Sequence, residues 1–283
     1  MASNLEHTLW LWTKGATSRR VMYSVLVKGL VSSASDLLQG KTTRSNLRIN
    51  TVDYSVKEGW IYGDPSDPQP KGSTNPCMQT TDLTTGRSTY VHESEAIVLY
   101  LEDLYPEHPL WSSSALERAR TMDLVSKVNI AVIDTNYIIR HITPEYGAAS
   151  GLKAEDLSRA TALNAKYHET KGLLKVQEWA EQNGLEKTGW ITPGVNGPGL
   201  GDVVLAAHIR FIEAVFGFYM LSDARLARLD SWYGRFKQLP WWKDFEERDD
   251  IVPEVLAVGR TSRAAWVKKE DFESLGSINI NSP

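Results

Sequence analysis

The sequence predicts an α+β chain in two parts, a small mixed sheet with helices packed on it and then a domain built of helices alone. Three observations predict this. Residues 1–106 alternate short runs of β-type residues with helical patterns, and residues 115–250 carry almost only helical periodicity. Between them "PEHPLW", 106–111, marks the change of character. At 283 residues the chain is long for one compact domain and comfortable for two. The expected boundaries are a first domain over 1–107, a helical domain over 112–254, and a tail over 255–283.

In chain order, "TLWLW" (8–12) is a short run of β-type residues, followed by the polar turn "TKGATSRR". "VMYSVLVKGL" (21–30) then has helical spacing with a glycine near its end. "LRINTVDY" (47–54) alternates apolar and polar residues as a strand does. Residues 55–76 are rich in Gly, Pro, Asp and Ser and predict an irregular connection. "MQTTDLTT" and "STYVH", joined around Gly86, read as a hairpin. A helix follows at "ESEAIVLYLEDLYP" (93–106), with Ala96, Ile97, Tyr100, Leu101 and Leu104 at helical spacing. Beyond the boundary the expected helices are 115–141, 154–183, 199–217, 222–237 and a short one near 241–248. The tail has few large apolar residues and is expected to wrap the surface or to be partly disordered.

Composition excludes several classes. Hydrophobic residues at 42% and charged residues at 23% are ordinary globular usage, so a core can form without staples. The net charge of −4 and the absence of a basic run argue against nucleic acid and anionic membranes as partners. The start lacks a basic region followed by a long apolar run, so no signal peptide is expected. The most apolar stretch, 203–221, is interrupted by His208, Arg210 and Glu213 and reads as a buried helix. With a single cysteine, Cys77, an internal disulfide is impossible; a cytoplasmic location is expected. The six histidines show no ligand spacing, so no metal is expected. "GPGLG" (197–201) lacks a preceding strand and reads as a loop before a helix, not a dinucleotide loop.

Glu93-Ser94 is the pair on which chemistry can be built. A helix N-terminus offers unpaired N–H groups and about half a positive charge, which suits a carboxylate. The Ser94 hydroxyl would add to that receptor and Glu93 would hold an ammonium group, together matching an α-amino acid head. Plain capping by Ser94, with Glu95 favouring the dipole, is the other reading of the same residues.

The order of elements adds to this. A β-α-β-(β-β)-α unit with Glu-Ser opening its last helix, followed by a helical domain, resembles the glutathione S-transferase superfamily. "ESEAIVLYLEDLYP" is similar to that family's Glu/Gln-Ser-x-Ala-Ile-x-x-Tyr-Leu signature, and Asn75-Pro76 sits where the family often has Asn-Pro before its third strand. "GPGLGDVVLAA" (197–207) resembles the capping segment of the long core helix, with Asp202 at its third position. "RLDSWYGRFKQLPWW" (228–242) resembles the Leu-x-x-Trp-x-x-Arg…Pro segment near the end. The match spans roughly residues 8–250.

The resemblance implies a thioredoxin-like first domain that holds glutathione and a second, helical domain that supplies the wall for an electrophilic, largely apolar co-substrate. Glu93 would bind the γ-glutamyl amine and Ser94 its carboxylate, with Thr80 and Gln79 on the strand that would meet the cysteinyl unit. Asn136, Tyr137 and Arg140 would line the second-substrate pocket, although a solvated face or subunit interface fits them as well. The family's cis-proline, counted back about twelve residues from Glu93, falls on Thr81. The usual catalytic serine or cysteine, counted six residues back from Val21, falls on Gly15. That leaves Ser18, Thr17 and Lys14 near the first helix as candidate stabilisers of the thiolate, or Thr17 and Ser18 as simple caps. The expected activity is conjugation of glutathione, or cis/trans isomerisation by reversible thiol addition, in a specialised, fungal-type biosynthetic role. A homodimer is expected from the resemblance, and a non-catalytic assembly module is the alternative.

Overall fold

The computed structural model describes residues 4–55, 59–61 and 66–267. They divide into two compact units. The first holds the described residues up to Leu110 together with Gln238–Val255; the second holds Trp111–Lys237 and the described residues from Leu256 on.

The first unit is built on five strands: β1 (Leu5–Trp12), β2 (Leu47–Ser55), β3 (Gly59–Ile61), β4 (Cys77–Asp82) and β5 (Ser88–Val91). Their order is β3-β2-β1-β4-β5, with β1 parallel to β2 and antiparallel to β4. β1 is the central strand and is buried on both faces. Leu9 and Leu11 lie on one face, and Trp10 lies on the other against Val52 and Cys77. The helices of this unit are α1 (Ala16–Val27), α2 (Ala34–Leu38) and α3 (Ser94–Leu104), with α10 (Trp242–Glu246) joining them from late in the sequence. His7, on the face of Leu9 and Leu11, meets the Tyr100 ring of α3 edge-on at 5.8 Å, so α3 covers that face. Lys28 and Glu102 bind α1 to α3 through a buried 2.6 Å ion pair, and the second Glu102 oxygen accepts the Leu110 amide at 2.9 Å. This is a thioredoxin-like arrangement.

The second unit consists of α4 (Ala115–Ile142), α5 (Pro144–Ala149), α6 (Arg159–Gln182), α7 (Leu185–Thr188), α8 (Leu200–Phe216) and α9 (Ala227–Phe236). α8 is buried almost all round, as its apolar sequence requires. Asp202 stands at its third position and is fully buried. Its carboxylate accepts from the amides of Ile191, Thr192 and Gly199, the Thr192 hydroxyl and the Trp232 indole. Gly199 has no side chain to return the cap, so the box at this helix start is one-sided. No helix among the described residues is long and apolar enough to cross a membrane.

Several boundaries differ from the sequence expectation. α1 begins at Ala16 and so takes in most of the stretch read as a polar turn. Ser18, Arg19 and Arg20 are buried there and each is bonded to a distant residue, so tertiary partners override turn composition. The span 154–183 contains a 3₁₀ turn at Ala154–Asp156 before α6, and 222–237 contains one at Ala224–Leu226 before α9. α2, β3, α5 and α7 have too few residues to show a period. Of the connection 55–76, residues 56–58 and 62–65 lie outside the described residues, as does the tail from 268. Before that point the tail is tied to the second unit, Ala264 donating its amide to the Ile142 carbonyl and Arg260 its guanidinium to the Ala214 carbonyl.

Glu102→Ala would leave the Lys28 ammonium buried without its counter-charge. The loss expected in urea unfolding is about 3–5 kcal/mol, whereas the paired replacement Lys28→Met with Glu102→Leu removes both charges and is expected to cost less, about 1–3 kcal/mol, because the Leu110 amide loses its acceptor.

Candidate functional site

The site lies where β1 ends, α1 begins, β4 begins and α3 begins, all within the first unit. Glu93 is the N-cap of α3 and Ser94 its first residue. No side chain caps this helix start. Ser94 is only 5% exposed, and its hydroxyl makes no hydrogen bond to another described residue. Glu93 is exposed, and its carboxylate has no hydrogen bond or ion pair among the described residues. Arg20, buried on α1, donates to Glu95 at 2.9 Å and ties the two helix starts together. Burial pulls the Arg20 pKa down, while Glu95 and Glu93 push it back up. The region therefore presents first-turn amides without a side-chain cap, the Ser94 hydroxyl and the Glu93 carboxylate, with the Arg20–Glu95 pair behind them.

The strand expectation needs correction. The peptide between Asn75 and Pro76 is cis, and Thr80 and Thr81 lie in ordinary strand. Pro76 lies seventeen residues before Glu93, so the count of twelve from Glu93 does not reach the cis bond. Thr80 is flanked on both sides, by His7 of β1 and by Thr89 of β5, so its N–H and C=O serve the sheet and are not open to a ligand. Its hydroxyl meets His7 Nδ1 at 2.9 Å and donates to Tyr100 at 3.3 Å. Gln79 likewise spends its amide on the Tyr90 hydroxyl at 2.9 Å.

Asn75 is a residue that the spacing did not single out. Its Oδ1 accepts the Trp12 amide at 2.7 Å and the Ser18 hydroxyl at 2.6 Å. Its Nδ2 donates to Gln69 at 2.9 Å and to the Trp10 carbonyl at 3.4 Å. Thr17 adds a 3.3 Å bond to the Asn75 carbonyl. The Asn-Pro dipeptide was the only signal in the sequence, and it carries no record of these partners.

These bonds change the reading of the three candidate thiolate stabilisers. Ser18 is buried and its proton is committed to Asn75, which displaces it as a donor to sulfur. Lys14 is held by Asp53 at 3.0 Å and lies 3.9 Å from Asp250. Thr17 alone has an exposed hydroxyl in a long bond. Gly15, the N-cap of α1, supplies no side-chain cap to the first turn. A Cβ there would meet Trp12 Cε3 at 2.8 Å, and Trp12 is fixed by its indole bond to Asp53 at 3.2 Å. The indole thus occupies the space that a side chain at position 15 would need. Cys77 is fully buried and burial pushes its thiol up, so it is inert as a nucleophile.

In the second unit, Tyr137 is exposed and the Arg140 guanidinium lies 6.0 Å from its ring centre. Asn136 is half-buried and makes no hydrogen bond to either among the described residues. Among the described residues no group of three metal-ligating side chains occurs.

No protein-family model and no curated protein sequence matches this chain. Solved structures do match by fold. A glutathione S-transferase from the Antarctic clam Laternula elliptica superposes with a TM-score of 0.60 at 15% identity, over 90% of this chain and 98% of its own. A maleylacetoacetate isomerase from Anaeromyxobacter dehalogenans, with glutathione in its active site, gives 0.57 at 17% identity over 89% and 98%. A trimeric glutathione transferase from Leishmania gives 0.56 at 15% identity; the match covers 89% of this chain but only 50% of that one. The fold is that of the glutathione transferases, a thioredoxin-like unit with a helical one.

Asn75→Ala strips partners from the Trp12 amide and the Ser18 hydroxyl at once. It is expected to lower stability by about 3 kcal/mol or more, read as a shift of the thermal midpoint.

Proposed function

We propose that the protein binds glutathione in its first unit and holds the sulfur at the start of α1 for reaction with an electrophilic, largely apolar small molecule. The observation that carries this is the start of α3. The Ser94 hydroxyl, which bonds no other described residue, the first-turn amides without a side-chain cap and the Glu93 carboxylate fit the carboxylate and ammonium of one α-amino acid head. Bound glutathione supplies a thiol whose thiolate form is the nucleophile. The Ser94 hydroxyl and the first-turn amides of α3 hold the carboxylate, and Glu93 holds the amine. Near the sulfur, the uncapped first turn of α1 and the Thr17 hydroxyl favour negative charge.

Net conjugation and cis/trans isomerisation by reversible addition both follow from one thiolate, and a specialised biosynthetic role is part of the proposal. Asn136, Tyr137 and Arg140 are proposed as polar liners for the second substrate, in a cytoplasmic protein. Ile130 and Ile133, each more than half exposed on α4, support a homodimer in which a second copy covers them. A second reading, a non-catalytic module that binds glutathione without activating it, is favoured by the Trp12 ring that fills the catalytic side-chain position.

Titration with glutathione while ultraviolet thiolate absorbance is followed tests both readings. The enzyme requires binding with a thiolate signal, the module requires binding without one, and no binding at millimolar glutathione defeats both. Glu93→Ala and Ser94→Ala are each expected to weaken the dissociation constant at least about tenfold, or 1.4 kcal/mol. Unchanged affinity in folded variants would return both residues to plain capping.

A further inference from the structure

The segment that follows the second unit's helices in sequence packs with the first unit, and its polar contacts converge on the turn before α1. Glu246, the last residue of α10, accepts the Arg19 guanidinium Nε at 3.0 Å and the Tyr23 hydroxyl at 2.8 Å. Both side chains of the Arg19–Glu246 pair are wholly buried. Arg19 carries the contact onward, its Nη1 donating to the Lys14 carbonyl at 2.6 Å. The same Lys14 has its ammonium 3.9 Å from Asp250, four residues after Glu246.

Anchoring alone does not call for this pair. The rings of Trp241, Trp242 and Phe245 already surround Tyr23 at 5.0, 6.0 and 6.3 Å, and apolar contact holds the segment there. A buried ion pair is a costly means of attachment, which apolar residues of similar volume usually match. What the pair adds is a hold on one peptide plane. The Lys14 carbonyl and the Gly15 N–H belong to the same rigid amide, so fixing the carbonyl also fixes the amide that leads into α1. Gly15 has no side chain to restrict it, and it keeps φ −78° and ψ 146° for the first turn to start where it does. Its N–H donates to the Trp12 carbonyl at 3.0 Å, and Arg19 holds the other end of the same peptide at the Lys14 carbonyl.

We propose that Glu246 is a positioning residue for the sulfur site, acting through Arg19 on the Lys14–Gly15 peptide to set the direction of the first-turn amides of α1. The assignment of those amides to a thiolate rests on the function proposed above; the mechanical link does not. Glu246→Gln keeps the shape and an acceptor but removes the charge that draws Arg19. Amide hydrogen exchange over residues 13–18 is expected to speed up at least about tenfold while β4–β5 and α8 stay as in the parent protein. With glutathione bound, the apparent thiol pKa is expected to rise by about one unit, a tenfold loss of thiolate at fixed pH, while the dissociation constant changes less than about threefold because the receptor at Glu93-Ser94 is untouched.

Unchanged exchange over 13–18 in the folded variant overturns the proposal, and so does acceleration spread evenly over the chain, which would make the pair a plain anchor. If Glu246→Gln does not fold, Tyr23→Phe removes one bond to Glu246 and keeps both charges. It must show the same local acceleration at smaller amplitude, and its absence overturns the proposal. Failure of the parent protein to bind glutathione would strike the proposed function and leave the exchange test standing on its own.

Discussion

The carboxamide of Asn75 uses all four of its hydrogen-bonding positions, and they reach three separate stretches of chain. Two go to β1, at the Trp12 amide and the Trp10 carbonyl; one goes to Ser18 of α1; one goes to Gln69 in the connection before β4. A carboxamide has two donors and an oxygen with two lone pairs, so nothing on this side chain is left over. The end of the central strand, the start of the first helix and the approach to the second half of the sheet are therefore set against one another by a single residue. Its own carbonyl receives the Thr17 hydroxyl.

That constraint divides the candidate site into two chemically different ends. Around the start of α1, Ser18, Arg19, Lys14 and Trp12 are all engaged in holding the turn, and Gly15 has room for no side chain. What the turn offers outward is backbone. Around the start of α3 the reverse holds. The side chains of Glu93 and Ser94 are unspent, and Arg20 stands behind them with its charge matched to Glu95. Under the proposed function, recognition of the ligand's head group would fall to free side chains, and the management of its sulfur to a turn whose shape is imposed by tertiary bonds.

The parts of this arrangement legible in the sequence are those written in local periodicity. The α3 run from Ala96 to Leu104, the long α4 and α8 and the hairpin around Gly86 follow from spacing and turn chemistry, while the third-position aspartate of α8 was legible through the family resemblance. The start of α1 was not legible, because Thr, Ser and Arg in "TKGATSRR" look like a turn until their distant partners are known. Thr80 was misplaced because residue counting assumed a fixed length for β4 and its turn, and strand length is free to vary. Glu246 was invisible for another reason. It is an ordinary acidic residue in a five-residue helix, and its importance comes from a partner, Arg19, far away in sequence.

The same distinction bears on how such a site can change. Side chains at the α3 start are not tied into the fold, so replacing them alters what is bound with little effect on the structure. At the α1 start almost every polar group is already a structural partner, and removing one leaves another buried and unsatisfied. Trp12 illustrates the coupling: its indole excludes a side chain at Gly15, bonds Asp53, and through Asp53 shares an anchor with Lys14. Lys14 in turn receives Arg19 on its carbonyl, and Arg19 is held by Glu246. Under the proposed function the electrostatic surroundings of the glutathione sulfur would therefore depend on backbone direction, and that direction is set by Asn75 on one side and by the Arg19–Glu246 pair on the other.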